Sequence, residues 1–141
     1  LPADKPRHLL GLSHPDDIFV GVEAGVDTFD CVAPTREARH GRIYTLDGNY
    51  NIKRSMYRDD AQVLVTDCDC PTCRAGHTRA ELRALLKSAE PAERAKAFNL
   101  LTAHNTRFII RLCEQIRQAI MDGSYRQFRD DFCRRYYRTS A

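Results

Sequence analysis

The stretch "DCDCPTCRAGH", residues 67–77, constrains the fold of this 141-residue chain more than any other. It puts three thiols, Cys68, Cys70 and Cys73, within six positions around a proline. Inert buried cysteines sit in apolar surroundings, whereas Asp67, Asp69 and Arg74 make this turn polar. Thiolates at this spacing can wrap a tetrahedral zinc ion with metal–sulfur arms of ~2.3 Å. The set is one ligand short, and two histidines compete for the place. His77 is local and would close a small knuckle. His104 sits in "LLTAHNTRF", where a polar His–Asn pair interrupts an apolar helix. Spacing leaves both open, with Cys113 as a third choice. Four protein ligands would make the site structural rather than catalytic.

The other three of the six cysteines, Cys31, Cys113 and Cys133, stand alone in apolar surroundings. That pattern suits a reducing, cytoplasmic compartment and a metal better than a disulfide framework. Hydrophobic residues make up 43% of the chain, enough for a core, and the net charge of +3 is compatible with a polyanionic partner. No run of eighteen apolar residues spells a membrane span, and "LPADKPRHLL" lacks the build of a secretion signal. Residue 1 runs almost directly into a strand-like segment, so a piece of something longer is expected.

"RHLLGL", residues 7–12, reads as a buried strand. A helix follows, capped by Ser13 or His14, with Pro15 in its first turn, Asp16 and Asp17 at its positive end and Gly25 at its stop. "VDTFDCV", residues 26–32, reads as a second strand, parallel to the first. Residues 41–53 pattern as a hairpin turning at Asp47-Gly48 or Gly48-Asn49. Thr78 and Glu81 form a capping-box pattern for a helix, and a long helix is expected from about Ala92 to Asp122. Ser124 would cap the last one, with Gln127 at its third position.

Asp30 lies near the carboxyl end of the second strand, between Phe29 and Cys31. A buried charge is costly unless used or paired, and the carboxyl ends of parallel strands form the reaction face of α/β folds. Asp30 is therefore a candidate nucleophile, acid or base; the bland alternative is a carboxylate paired with Arg36 or accepting loop amides. "PTREARHGR" follows, read as a basic loop. Its Arg36, Arg39, His40 and Arg42 suit phosphate or base edges, although such runs are commonly just solvated.

Taken together, "GVDTFDCVAPTREARHGRIYT", "CDCPTC" and the downstream "HN" resemble the carboxyl-terminal part of bacterial tRNA-guanine transglycosylase, the queuine tRNA-ribosyltransferase family. The similarity runs from "KPRHLLGL" to "FRDDFCRRYY". The resemblance implies an α/β fold: the terminal portion of a TIM (β/α)8 barrel with a zinc-binding subdomain and carboxyl-terminal helices. Residues 1–60 would hold the last two barrel strands, their crossover helix and a β-hairpin; residues 61–141 would hold the zinc subdomain and terminal helices. The implied reaction replaces guanine at the wobble position of a tRNA with a GUN anticodon by a 7-deazaguanine base, bacterial-type motifs favouring the queuosine precursor. Asp30 matches the nucleophile, which would hold a covalent ribosyl intermediate.

The same resemblance makes Cys68, Cys70, Cys73 and His104 the ligands of a structural Zn2+. It matches Leu10 and Gly11 to the wall of the base pocket. Gly11, Leu12, Ser13, His14, Pro15, Asp16 and Asp17 match one RNA-contacting loop, and Thr35, Arg36, Glu37, Ala38 and Arg39 the other. It implies a homodimer and no membrane. Two departures stand out. The segment around "SAEPAER" is longer than the pattern, which keeps His77 in competition. The amino-terminal barrel, with its general acid/base, is missing, so this chain alone is expected not to exchange bases and to self-associate or rearrange its amino-terminal segment. A rival function is a zinc-stabilised RNA-binding or adaptor module, which would have no need of Asp30.

Overall fold

The computed structural model describes residues 2–12 and 14–138. Strand β1 (His8–Leu10), helix α1 (Pro15–Glu23) and strand β2 (Thr28–Asp30) come first. Helix α2 (Ala33–Arg39) leads into the hairpin β3 (Arg42–Thr45) and β4 (Gly48–Asn51). A 3-10 turn at Ser55–Tyr57 precedes the short helix α3 (Pro71–Arg74). Three helices complete the chain: α4 (Arg79–Lys87), α5 (Pro91–Met121) and α6 (Tyr125–Tyr136). The result is a mixed α/β arrangement. β1 and β2 form one parallel pair and β3 and β4 a separate antiparallel pair. The described residues thus supply two parallel strands where a (β/α)8 barrel uses eight.

The strand–helix–strand unit forms as its residues dictate. Pro15 pre-sets the first turn of α1, and Asp16 and Asp17 sit at its positive end. His14 occupies the N-cap position without a side-chain capping bond, and the other candidate cap, Ser13, lies outside the described residues. Gly25 takes a φ of 84° just past the last turn, a conformation that glycine adopts freely. A Cβ at Gly21 would lie 2.7 Å from Phe29 Cε1. Its absence lets α1 press onto Leu9 and Phe29, the inward residues of the two strands.

The strands are not buried as expected. His8, Leu10, Thr28 and Asp30 alternate onto an exposed face, and Leu10 is 66% exposed. Only one side of the pair has a partner among the described residues. Asp27 precedes β2 and caps the start of β1, accepting from the Arg7 N–H at 2.8 Å.

A second correction concerns residues 33–39, which form helix α2 rather than a loop. Pro34 sits in its first turn, Arg36 and Arg39 lie in its last, and Gly41 follows at φ 86°. These are favourable start and stop signals. Charge masked them, because only Pro34 and Ala38 turn inward. At α4, Thr78 Oγ1 accepts from the Glu81 N–H at 3.1 Å, but the Glu81 carboxylate turns to His77, so half of the capping box forms. Ser124 stands at the N-cap of α6 without a side-chain bond.

Helix α5, about 46 Å long at 1.5 Å per residue, runs through two cores. The first gathers Ile43, Ile52, Leu64, Leu82, Leu86, Ala97 and Leu101 around Cys70 and Cys73. The second joins Ile18 and Phe19 of α1 to Leu112, Ile116, Phe132 and Tyr136. There the Phe19 ring lies 5.6–6.1 Å from those of Tyr125, Phe128 and Phe132, aromatic packing worth more than its area alone.

Candidate metal centre and strand-end carboxylate

The cysteine turn is built for anionic sulfur. Cys70 caps α3 and its Sγ accepts from the Cys73 N–H at 3.3 Å; Cys68 Sγ accepts from the Cys70 N–H at 3.4 Å. Hydrogen bonds from Cys68 and Cys73 pull the Cys70 thiol down to about 3. Hydrogen bonding to Cys68 and Cys70, with burial, pushes Cys73 up, because a thiol that donates to its neighbours holds its proton. A bound dication reverses that opposition and favours all three thiolates.

The fourth corner is His104. Its Nδ1 lies 3.5 Å from Cys68 Sγ, 3.4 Å from Cys70 Sγ and 3.6 Å from Cys73 Sγ. A tetrahedron with arms of ~2.3 Å to sulfur and ~2.0–2.1 Å to nitrogen separates those atoms by about 3.5 Å. The near-equal distances fit a metal ion. His104 Nε2 donates to the Tyr44 carbonyl at 2.9 Å. A carbonyl only accepts, so the proton sits on Nε2 and the Nδ1 lone pair faces the thiols. The rival histidine is engaged elsewhere: His77 Nδ1 lies 3.0 Å from both Glu81 carboxylate oxygens. Cys113 is half-buried and outside the cluster, its thiol pushed up by burial.

Arginines from α5 hold the turn from outside. Arg107 Nε donates to the Asp69 carboxylate at 3.0 Å and Nη1 to Glu114 at 3.0 Å, while Arg111 donates to the Asp67 carbonyl at 3.2 Å. Hydrogen bonding from Arg107 holds the Asp69 carboxyl below its ordinary range. Sequence reasoning passed over Arg79. Its guanidinium donates to Asp60 at 2.9 Å and to the Leu64 carbonyl at 3.1 Å. It lies 5.3 Å from the Tyr50 ring centre and 5.7 Å from that of Tyr57, so it ties the incoming loop to the hairpin. An arginine just inside a helix start carries no such signal alone.

Asp30 stands at the carboxyl end of β2, where its backbone carbonyl accepts from the Gly11 N–H at 2.8 Å. It is exposed, and its carboxylate makes no ion pair among the described residues, with Arg36 or otherwise. It lines an open cavity of about 510 Å³ together with Gly11, Leu12, His14, Asp17, Arg36 and Glu37. The fold thus brings the ends of both candidate RNA-contacting segments to the strand-end carboxylate. Leu10 pairs opposite Asp30 in the sheet but does not line this cavity. Pro15 and Ala38 are buried, while Thr35 and Arg39 are exposed on α2. Asp16 accepts a hydrogen bond from the Tyr137 hydroxyl, and Glu37 pairs with Arg42 at 3.6 Å.

These features define a class of protein: a mixed α/β chain whose Cys3His cluster is shaped for a metal and whose parallel strand pair ends in a carboxylate exposed at an open cavity. A family model described as queuine tRNA-ribosyltransferase matches residues 1–138. The queuine tRNA-ribosyltransferase of Dictyoglomus turgidum is 46% identical over 138 residues, 98% of this chain and 34% of that protein. Those of Lactococcus lactis subsp. cremoris and Streptococcus uberis are 46% and 44% identical over 96% and 99% of the chain. The chain belongs to the queuine tRNA-ribosyltransferase family. It spans about a third of the length of the curated relatives it matches. No helix among the described residues is long and apolar enough to cross a membrane.

Proposed function

We propose that this chain supplies the nucleophile, part of the RNA-facing surface and a structural zinc centre to a tRNA-guanine transglycosylase. The observation that carries the reading is the exposed Asp30 carboxylate, without an ion-pair partner among the described residues, in a cavity shared with Gly11, His14 and Arg36. In the proposed reaction an Asp30 oxygen attacks C1′ of the wobble guanosine. The C1′–N9 bond breaks, and its electron pair leaves with guanine, which takes up a proton from a general acid outside these residues. The ring nitrogen of the incoming 7-deazaguanine base then attacks C1′, gives up its proton and expels the carboxylate. Two displacements retain the sugar configuration and pass through oxocarbenium-like transition states, for which a carboxylate is both a stabiliser and a leaving group.

Exposed Gly11, Leu12, His14, Asp16, Thr35, Arg36 and Arg39, with the half-buried Asp17 and Glu37, would meet single-stranded RNA around a splayed-out base. Leu10 and Gly11 would wall the base. Zinc, held by Cys68, Cys70, Cys73 and His104, would lock the loop to α5 without an open coordination position. In this reading β1 and β2 are the last two strands of a (β/α)8 barrel. Residues 1–60 carry that strand pair, and residues 61–141 carry the zinc subdomain and terminal helices. The partners are a tRNA with a GUN anticodon and a second copy of the protein, in the cytoplasm. The 141 residues alone would not exchange bases.

The test is Asp30→Asn in an active protein of the relatives' length. Wild type is expected to give an RNA adduct that survives denaturing electrophoresis, and the variant to give none, with turnover down at least about a thousandfold. Normal turnover in the variant would remove Asp30 as the nucleophile.

A further inference from the structure

His104 and Asn105 are consecutive on α5 and buried, at 1% and 0% exposure. His104 faces the thiols. Asn105 does something else with the same precision of partners. Its Oδ1 accepts from the Tyr44 N–H at 3.1 Å, and its Nδ2 donates to the Arg42 carbonyl at 2.9 Å. Arg42 and Tyr44 are alternate residues of β3, on the edge away from β4. The amide therefore bonds β3 as the N–H and C=O of one residue of a parallel neighbouring strand would. The second Nδ2 hydrogen goes to the Pro34 carbonyl at 3.2 Å, in the first turn of α2. Both donors of the amide are used, and no other residue type offers one acceptor and two donors at this reach. Tyr44 closes the circuit, since its carbonyl takes the His104 Nε2 proton while its N–H goes to Asn105.

We infer that Asn105 is a positioning residue that couples the metal centre to helix α2. Metal binding fixes His104, and with it the register of α5 against β3. Asn105 carries that register on to Pro34, and so sets where Arg36 and Arg39 stand relative to Asp30. α2 begins three residues after Asp30, so the orientation of its first turn is also that of the chain leaving Asp30. Only the last link, from α2 to RNA, rests on the function proposed above.

Asn105→Asp keeps the size and the acceptor but turns a carboxylate towards two carbonyl oxygens. The whole chain, loaded with Co2+ in place of zinc, reports ligand geometry through its visible absorption, while hydrogen exchange reports the helices. The variant is expected to keep the wild-type cobalt spectrum and the exchange rates of α4, while the amides of Ala38, Arg39 and His40 exchange about tenfold faster, the scale of one lost hydrogen bond. Binding of an anticodon stem-loop RNA should weaken to the level expected of Arg36→Ala. Wild-type α2 rates in the metal-loaded variant would overturn the coupling, as would equal loosening of α2 and α4. Loosened α2 with unchanged RNA affinity would keep the coupling and overturn the RNA role of α2. If the variant fails to fold, the side-chain amide of Asn105 in the zinc-loaded wild type decides. Both of its protons must exchange slowly, and one exchanging as fast as a free amide breaks the link to Pro34.

Discussion

The metal-centred half of the chain and its strand-pair half meet the same physical demands in opposite ways. Around Cys70, His104 and Asn105, buried polar atoms have named partners, and the first core closes around them. At β1 and β2 the alternate side chains are exposed, and α1 presses onto the inward Leu9 and Phe29. The first half carries its own stabilising contacts. The second is anchored through Ile18 and Phe19, which reach into the core formed by α5 and α6. The contrast teaches that the strand-end carboxylate is held at one remove. Its position depends on the backbone pairing of β2 and on how firmly α1 is seated, not on side-chain bonds among the described residues.

The sharpest way to break the comparison is to remove the metal. Excess chelator should cost the metal-centred half on the order of 10 kcal/mol, the scale of structural zinc binding, and abolish cooperative unfolding in circular dichroism. Persistence of a sharp transition would mean that the first core stands without the ion. Next come two large-to-small changes. Phe19→Ala should cost about 3–5 kcal/mol and Leu101→Ala about 2–5 kcal/mol in denaturant melts. The two should differ in where hydrogen exchange speeds up: the first at α1 and β2, the second around β3 and α4.

A smaller effect should come from pH. The Asp60 carboxyl accepts from the Gln62 N–H and from Arg79, which hold it below its ordinary value of 3.8. A depressed carboxyl contributes stability that is fully present above its unfolded pKa and is lost as pH falls through the lower folded value. The Asp60→Asn variant should therefore melt with a shallower dependence on acid below pH 3.8 than wild type. The smallest effect should come from Leu10→Ser on the exposed strand face, within about 0.5 kcal/mol of wild type. A larger loss would show that this face is covered in solution.

Much of the metal-centred half was legible because its signals are local. Thiol spacing, the Thr78 cap, the hairpin alternation and the apolar stripe of α5 each sit within a few residues. The choice between His77 and His104 was not local; it waited on which ring the fold brings to the sulfurs. α2 escaped because its charged residues lie outward and only Pro34 and Ala38 carry an inward pattern. The exposure of Asp30 escaped for a related reason. "TFDCV" reads as a buried strand, and only tertiary packing decides which of its faces is covered. The oddity of the His–Asn pair was visible in the sequence, but Asn105 acquires its role only from β3 and Pro34, some sixty to seventy residues earlier.

The lacing of α1 by α6 bears on the order in which the molecule is assembled. The Tyr125 hydroxyl donates to the Phe19 carbonyl, 106 residues earlier, at 2.9 Å, and the Tyr137 hydroxyl reaches Asp16 across 121. A ribosome adding about 5–20 residues per second makes those partners roughly 5–25 s apart. Cys68, Cys70, Cys73 and His104 all emerge within that interval. The nascent chain can thus take up its ion while α1 is still waiting, and a helix made before the metal ligands finds its seat after them.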